Sequence, residues 1–216
     1  MSKRQLSPKD ARQFWLALMT NVAGLIEDAR LLFAHESPGR ARSLLVLANE
    51  ELAKAVWIYD ASSATWSAGT KTSIELPEDF ATKVRDHFSK ILEAERYGSN
   101  LGPFWGDYSS YEEPQSVEDP VVDIARKANW EKMGGFYVDM PKNGVVAAPQ
   151  DVSSAGIEAR LVNAAAVALM ALITDHTRIQ GVDPEFEWNT ATNDLQGRLL
   201  PISNPELFDE SLMRER

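Results

Sequence analysis

The sequence contains no cysteine and only three histidines. The first absence removes disulfides, thiolate metal sites and cysteine nucleophiles. The second leaves too few nitrogen ligands for a transition-metal site to be expected. The residues three before His35, His87 and His176 are Leu32, Val84 and Ile173, so the Glu-x-x-His pairs of helical di-metal proteins are missing as well. There is no phosphate-binding glycine-rich loop and no Gly-x-Ser-x-Gly elbow. No cofactor is expected.

Long apolar runs are also lacking. The longest, Leu161 to Ile173, contains Asn163 and is too short to span a bilayer. Met1-Ser2-Lys3-Arg4-Gln5 is not followed by the apolar core of a signal peptide. No membrane segment is expected, and the expected location is the cytoplasm. Basic residues are the scarcer charge, 22 Lys and Arg against 32 Asp and Glu, for a net −10. That balance argues against a broad electrostatic nucleic-acid surface, so no DNA partner is expected, while a local basic groove stays open.

What the chain does hold is helical periodicity, with 44% hydrophobic residues to build a core. Ser7-Pro8-Lys9-Asp10 is a helix start, and Trp15, Leu18, Met19, Val22, Leu25, Ile26 and Ala29 form a stripe that predicts a helix to about His35. Ser37-Pro38 restarts the chain for a second helix over 38–62, antiparallel to the first because the turn is so short. A third is predicted over 77–97 and a fourth over 119–133, ended by Gly134-Gly135. The aromatic-rich segment 99–118 between them reads as a loop that is either a cover, its aromatics packed down as a lid, or a flexible insertion. Phe136 to Met140 and Val145-Val146, joined through Asn143-Gly144, read as a small β-hairpin. A fifth helix, capped by Ser153 or Ser154 and running to about Ile179, is apolar nearly all round and is expected to be the most buried. The predicted fold is all-α, an antiparallel helical bundle of about five helices with a β-hairpin insertion. Residues 1–181 form the domain. Residues 182–216, with eight acidic and three basic side chains, form an acidic C-terminal tail.

One stretch of the second helix stands apart. Counted at 100° per residue from Leu44, Glu51 falls at about 340°, among Leu47, Ala48, Ala55 and Ile58, whereas Glu50 and Lys54 fall on the flank. A carboxylate on a core face is costly unless something pairs with it. On the third helix His87 falls beside Phe80 and Ile91, with Lys83 and Lys90 next to it. Glu51 and His87 are therefore expected to approach each other. Glu50, Glu51 and Lys54 of the second helix and Lys83, His87 and Lys90 of the third form one cluster, with Asn21 and Asp28 of the first helix as further members; within it Glu51, Lys54, His87 and Lys90 are the candidate catalytic residues. A histidine held near a carboxylate and ammonium groups is equipped for general acid–base work, with lysine stabilising a developing anion. The same residues also suit a buried ion-pair network that fixes helix register.

At these residues the sequence resembles the AbiV-type abortive infection proteins, a branch of the HEPN helical superfamily. The stretches that carry the resemblance are Asn21 through Asp28-Ala29, Ala41 through Glu50-Glu51-Leu52-Ala53-Lys54, His87-Phe88-Ser89-Lys90, and Gly135 to Asp139 with Pro149. They keep order and spacing from roughly residue 15 to 175. The resemblance implies a cytoplasmic, all-helical bacterial protein that arrests a phage-infected host by blocking translation or damaging RNA. It further implies a homodimer, with RNA or a phage protein as partner. Many HEPN relatives are metal-independent ribonucleases with an Arg-x4–6-His motif. Here the only match to that spacing, Arg30 to His35, lies in the first helix and lacks the polar residue that usually follows the arginine. The competing expectation is a non-enzymatic dimeric module that binds a phage protein or a translation component.

Overall fold

Ser7 accepts a hydrogen bond from the Asp10 N–H, and Pro8 supplies the first helical φ, so α1 runs from Pro8 to Ala34 with His35 as its C-cap. Glu36, at φ 56°, turns the chain. α2 then runs back along α1 over Pro38–Ser67. These coordinates belong to a computed structural model that describes residues 4–101, 118–140, 144, 146–182 and 190–208. The remaining helices are α3 (Phe80–Lys83), α4 (His87–Ser99), α5 (Glu118–Phe136), α6 (Ile157–Val182) and α7 (Thr190–Ser203). The fold is an all-α antiparallel bundle. Its two-stranded sheet pairs β1 (Gln5–Leu6) with β2 (Ile74–Glu75) and ties the N-terminal segment to the stretch after α2.

α2, rather than the more apolar α6, is the hub, touching α1, α4, α5 and α6. It carries two buried stripes. Ala41, Leu45, Ala48, Leu52, Ala55 and Trp57 join the main core, while Val46, Glu50 and Ala53 lie along a second stripe. Val46 packs with Ile91 of α4 and Ala125 of α5 in a smaller core. α6 is long and apolar enough to cross a membrane by length and composition. Ile157, Leu161, Ala165, Ala168 and Leu172 of that helix are nevertheless packed into the main core.

Several boundaries differ from the sequence reading. The third helix is two: Asp86 accepts from the Phe88 and Ser89 N–H groups and starts α4 afresh. Gly134 and Gly135 do not break α5, which continues to Phe136. Of the hairpin, the described residues carry the antiparallel bridge Asp139 to Ala147. Gly144 takes φ 75° as its turn requires, and Asn143 lies outside the described residues. α6 begins at Ile157, after Gly156, instead of at Ser153 or Ser154. Most of the 99–118 segment lies outside the described residues. Within the acidic C-terminal stretch, α7 packs on α6 and α1, burying Leu195, Leu199 and Ile202. Arg198 of α7 holds Glu27 of α1 with nitrogen–oxygen distances of 2.8 and 2.5 Å.

Gly135 explains why α5 approaches α2 so closely. A Cβ there would lie 2.0 Å from Ser43 Oγ and 2.1 Å from the Gly39 carbonyl oxygen. Gly39 is pressed in turn against the Pro149 carbonyl, which a Cβ would meet at 2.2 Å. Ser43 donates to the Lys132 carbonyl at 2.7 Å and fastens the same contact. Gly135→Ala is expected to destabilise the fold by about 1–3 kcal/mol, the usual range for overpacking. Gly134→Ala, with nothing within 4 Å of the added atom, is the control and should have no such cost in a urea melt.

Candidate functional site

The close α2–α5 contact sets Lys132 beside α2, and the restart at Asp86 sets His87 at the first turn of α4. Both side chains meet Glu50. Its Oε1 lies 2.6 Å from Lys132 Nζ, and its Oε2 lies 2.7 Å from both His87 Nδ1 and Lys90 Nζ. Lys132 Nζ is also 3.1 Å from His87 Nδ1. Glu50, Lys90 and Lys132 have side chains 2%, 7% and 6% exposed, whereas His87 is 56% exposed. Burial alone would raise the Glu50 carboxyl. Hydrogen bonds from Lys132, Lys90 and His87 outweigh it and hold the group below the ordinary carboxylate range.

An ionised carboxylate only accepts, so the short contact with Glu50 is a hydrogen bond when His87 Nδ1 carries the proton; Lys132, which only donates, then stands beside that nitrogen as a charge and not as a hydrogen-bond partner. In the neutral ring this leaves the lone pair on Nε2. The arrangement is a histidine on an accessible surface, fixed in rotation and tautomer by a buried carboxylate and backed by two ammonium groups. Chemically it is able to accept and return a proton and to stabilise a negative charge beside it.

Of the residues singled out in the sequence, His87 and Lys90 are brought together. The carboxylate that meets them is Glu50, not Glu51. Glu51 turns away to Lys54, with Nζ and Oε1 2.6 Å apart, and this is a pair within one helix. The one-face projection failed because α2 is buried on two sides, so the flank position of Glu50 is a core position. Lys132 went unnoticed. Its signal was present, since Val121, Ala125, Ala128, Lys132 and Gly135 recur at alternating spacings of four and three along α5. Lys83 pairs with Asp79 and lies over the Trp57 ring. Asn21, Asp28, Arg30 and His35 are all exposed on or at the end of α1, whereas the cluster is built from α2, α4 and α5.

The all-α antiparallel bundle is the fold class of a HEPN-type protein. The family model for AbiV, of HEPN type, matches residues 10–169, and the chain belongs to that family of abortive infection proteins. The matched span contains all four residues of the cluster. No curated protein and no solved structure matched the chain.

Proposed function

We propose that this AbiV-family chain is a cytoplasmic antiphage effector that arrests the infected host by cleaving RNA, with His87 transferring the proton. In this reading His87 Nε2 takes the proton of a ribose 2′-hydroxyl as its oxygen attacks the adjacent phosphorus. The bond from phosphorus to the 5′-oxygen breaks, and the imidazolium returns the proton to that oxygen. The products are a 2′,3′-cyclic phosphate and a free 5′-hydroxyl. Lys90 and Lys132 supply positive field behind the ring. Glu50, in the place first expected of Glu51, positions His87, and Lys54 stays with Glu51 at the margin. The observation that carries the reading is the accessible His87 ring locked to a fully paired, buried Glu50.

The test is incubation of the purified chain with total cellular RNA in excess chelator. Fragments with cyclic phosphate ends are expected from the wild type and none from His87→Ala. Because His87 is exposed and Glu50 keeps both lysines, the variant should lose no more than about 1 kcal/mol of stability. Intact RNA with the wild-type chain rules out the enzymatic mechanism.

A second, non-enzymatic reading is supported by the outer face of α5. Trp130 is 75% exposed and Met133 50%, and the run continues through Tyr137, Val138 and Met140. Exposed large apolar side chains grouped in this way mark interaction surfaces. Its occupant in this reading is a second copy of the chain, giving the homodimer. Trp130→Glu is expected to convert dimer to monomer by light scattering, and a wild-type chain already monomeric at micromolar concentration contradicts it.

A further inference from the structure

The aromatic residues where α1, α2, α4 and α6 meet have no part in the His87 site. Trp15, Tyr59 and Tyr97 line a cavity of about 290 Å3 there, with Asp60 beside them. The space exists because α2 and α6 both present alanines to it, Ala55 and Ala171, where larger side chains would fill it. Its size is at the lower end of small-molecule sites, about 300 Å3. The Glu50 cluster contributes no residue to its lining.

Two properties of the lining point to one class of ligand. The first is its aromatic character. The Trp15 and Tyr59 ring centres are 6.0 Å apart, and the Tyr59 hydroxyl donates to the Thr174 carbonyl at 3.4 Å. Burial pushes both tyrosine hydroxyls upward, so the rings stay neutral and keep the negative faces that attract cations. The second is an unanswered carboxylate. Among the described residues that line the cavity Asp60 alone is charged, and no described cation pairs with it. It stands at the exposed rim, where shielding by its neighbours, followed by the like charge of Glu93, pushes its carboxyl upward. The cations nearby are engaged elsewhere. Arg12 and Arg178 both hold Asp175, and neither lines the cavity. Arg12 already lies 4.6 Å from the Trp15 ring centre, so the place for a further cation is at Tyr59 and Tyr97, beside Asp60.

We propose that this cavity binds a small organic ammonium ion, with its charge between Asp60 and the two tyrosine rings and its apolar body against Trp15, Ala55 and Ala171. The site is separate from His87 and does not depend on that residue acting on RNA.

Calorimetric titration of the full chain with choline, with butylammonium and with 3,3-dimethyl-1-butanol, the uncharged isostere of choline, tests it. At least one of the two cations should bind with a Kd of about 1 mM or lower, and about tenfold or more tighter than the alcohol. Asp60→Asn and Tyr97→Leu should each weaken that binding by about fivefold or more. Asp60 is exposed and unpaired, so its variant keeps the fold and reports on binding even if the Tyr97 variant fails to fold. No binding by either cation at about 10 mM overturns the proposal. So does an alcohol that binds as tightly as the cations, which would make the cavity merely apolar. An Asp60→Asn chain that binds as wild type does overturns it as well, since the carboxylate would then have no part in recognition.

Discussion

Glu50→Ala is expected to lower the stability of the folded chain by about 3–5 kcal/mol, the range seen when one member of a buried ion cluster is removed. The size follows from what stays behind. Lys90 and Lys132 are 6% and 5% exposed, and without Glu50 two ammonium groups face each other with no carboxylate between them. At about 2–4 °C per kcal/mol for a chain of this size, the thermal midpoint should fall by about 10 °C. Replacing Glu50, Lys90 and Lys132 together with apolar residues of similar volume should recover most of that loss, since removing the charges also removes their desolvation cost. A loss below about 1 kcal/mol in Glu50→Ala would mean that the lysines find water, and the cluster would not be the closed one described.

The same group sets a pH dependence whose sign is fixed. Glu50 is held below the ordinary carboxylate range in the folded chain, so the folded state favours its ionised form more than the unfolded state does. That stabilisation is complete at neutral pH and is lost as the pH falls below about 4. In Glu50→Gln this part of the acid limb should disappear, leaving a shallower decline in denaturant midpoint between about pH 5 and 3.

The second large effect is expected at Asp175, which belongs to a separate ionic centre. Asp175 is fully buried on α6 and receives both Nη groups of Arg12, at 2.8 and 2.7 Å, together with Arg178 at 2.9 Å. Arg12 lies 4.6 Å from the centre of the Trp15 ring and 5.4 Å from that of Trp66, and Arg178 lies 5.4 Å from that of Trp66. The Trp66 indole N–H closes the group on the Pro8 carbonyl at 3.1 Å. Asp175→Ala leaves two guanidinium groups among aromatic rings and should cost about 3–5 kcal/mol. Because Asp175 stands apart from the Glu50 cluster, the double variant with Glu50→Ala should be additive within about 0.5 kcal/mol. A large coupling between them would show that the two ionic centres share one packing unit.

These two centres also show what the sequence makes legible. Helix α1 and the antiparallel turn into α2 followed from Ser7-Pro8, Ser37-Pro38 and a regular apolar stripe, because capping and periodicity are local. His87 and Lys90 were legible because their positions border the apolar face marked by Phe80 and Ile91. The identity of their carboxylate was not, since it depends on how many sides of α2 are covered, and that is a tertiary fact. Asp175 lies in a polar turn of α6 where nothing local marks it as buried. Its burial is set by Arg12, 163 residues away. The close α2–α5 approach was invisible for a related reason. Gly134-Gly135 is the usual mark of a helix end, and only the position of Gly39 shows that Gly135 is there to make room.

If Glu50 is structural and His87 functional, the two should separate in one experiment. The decisive measurement is the plating efficiency of phage on cells expressing wild type or His87→Ala, with the thermal midpoint of each purified chain measured alongside. Protection lost in His87→Ala at an essentially unchanged midpoint is the predicted result. Protection retained at the wild-type level by His87→Ala contradicts it and leaves the cluster as a device that only fixes helix register.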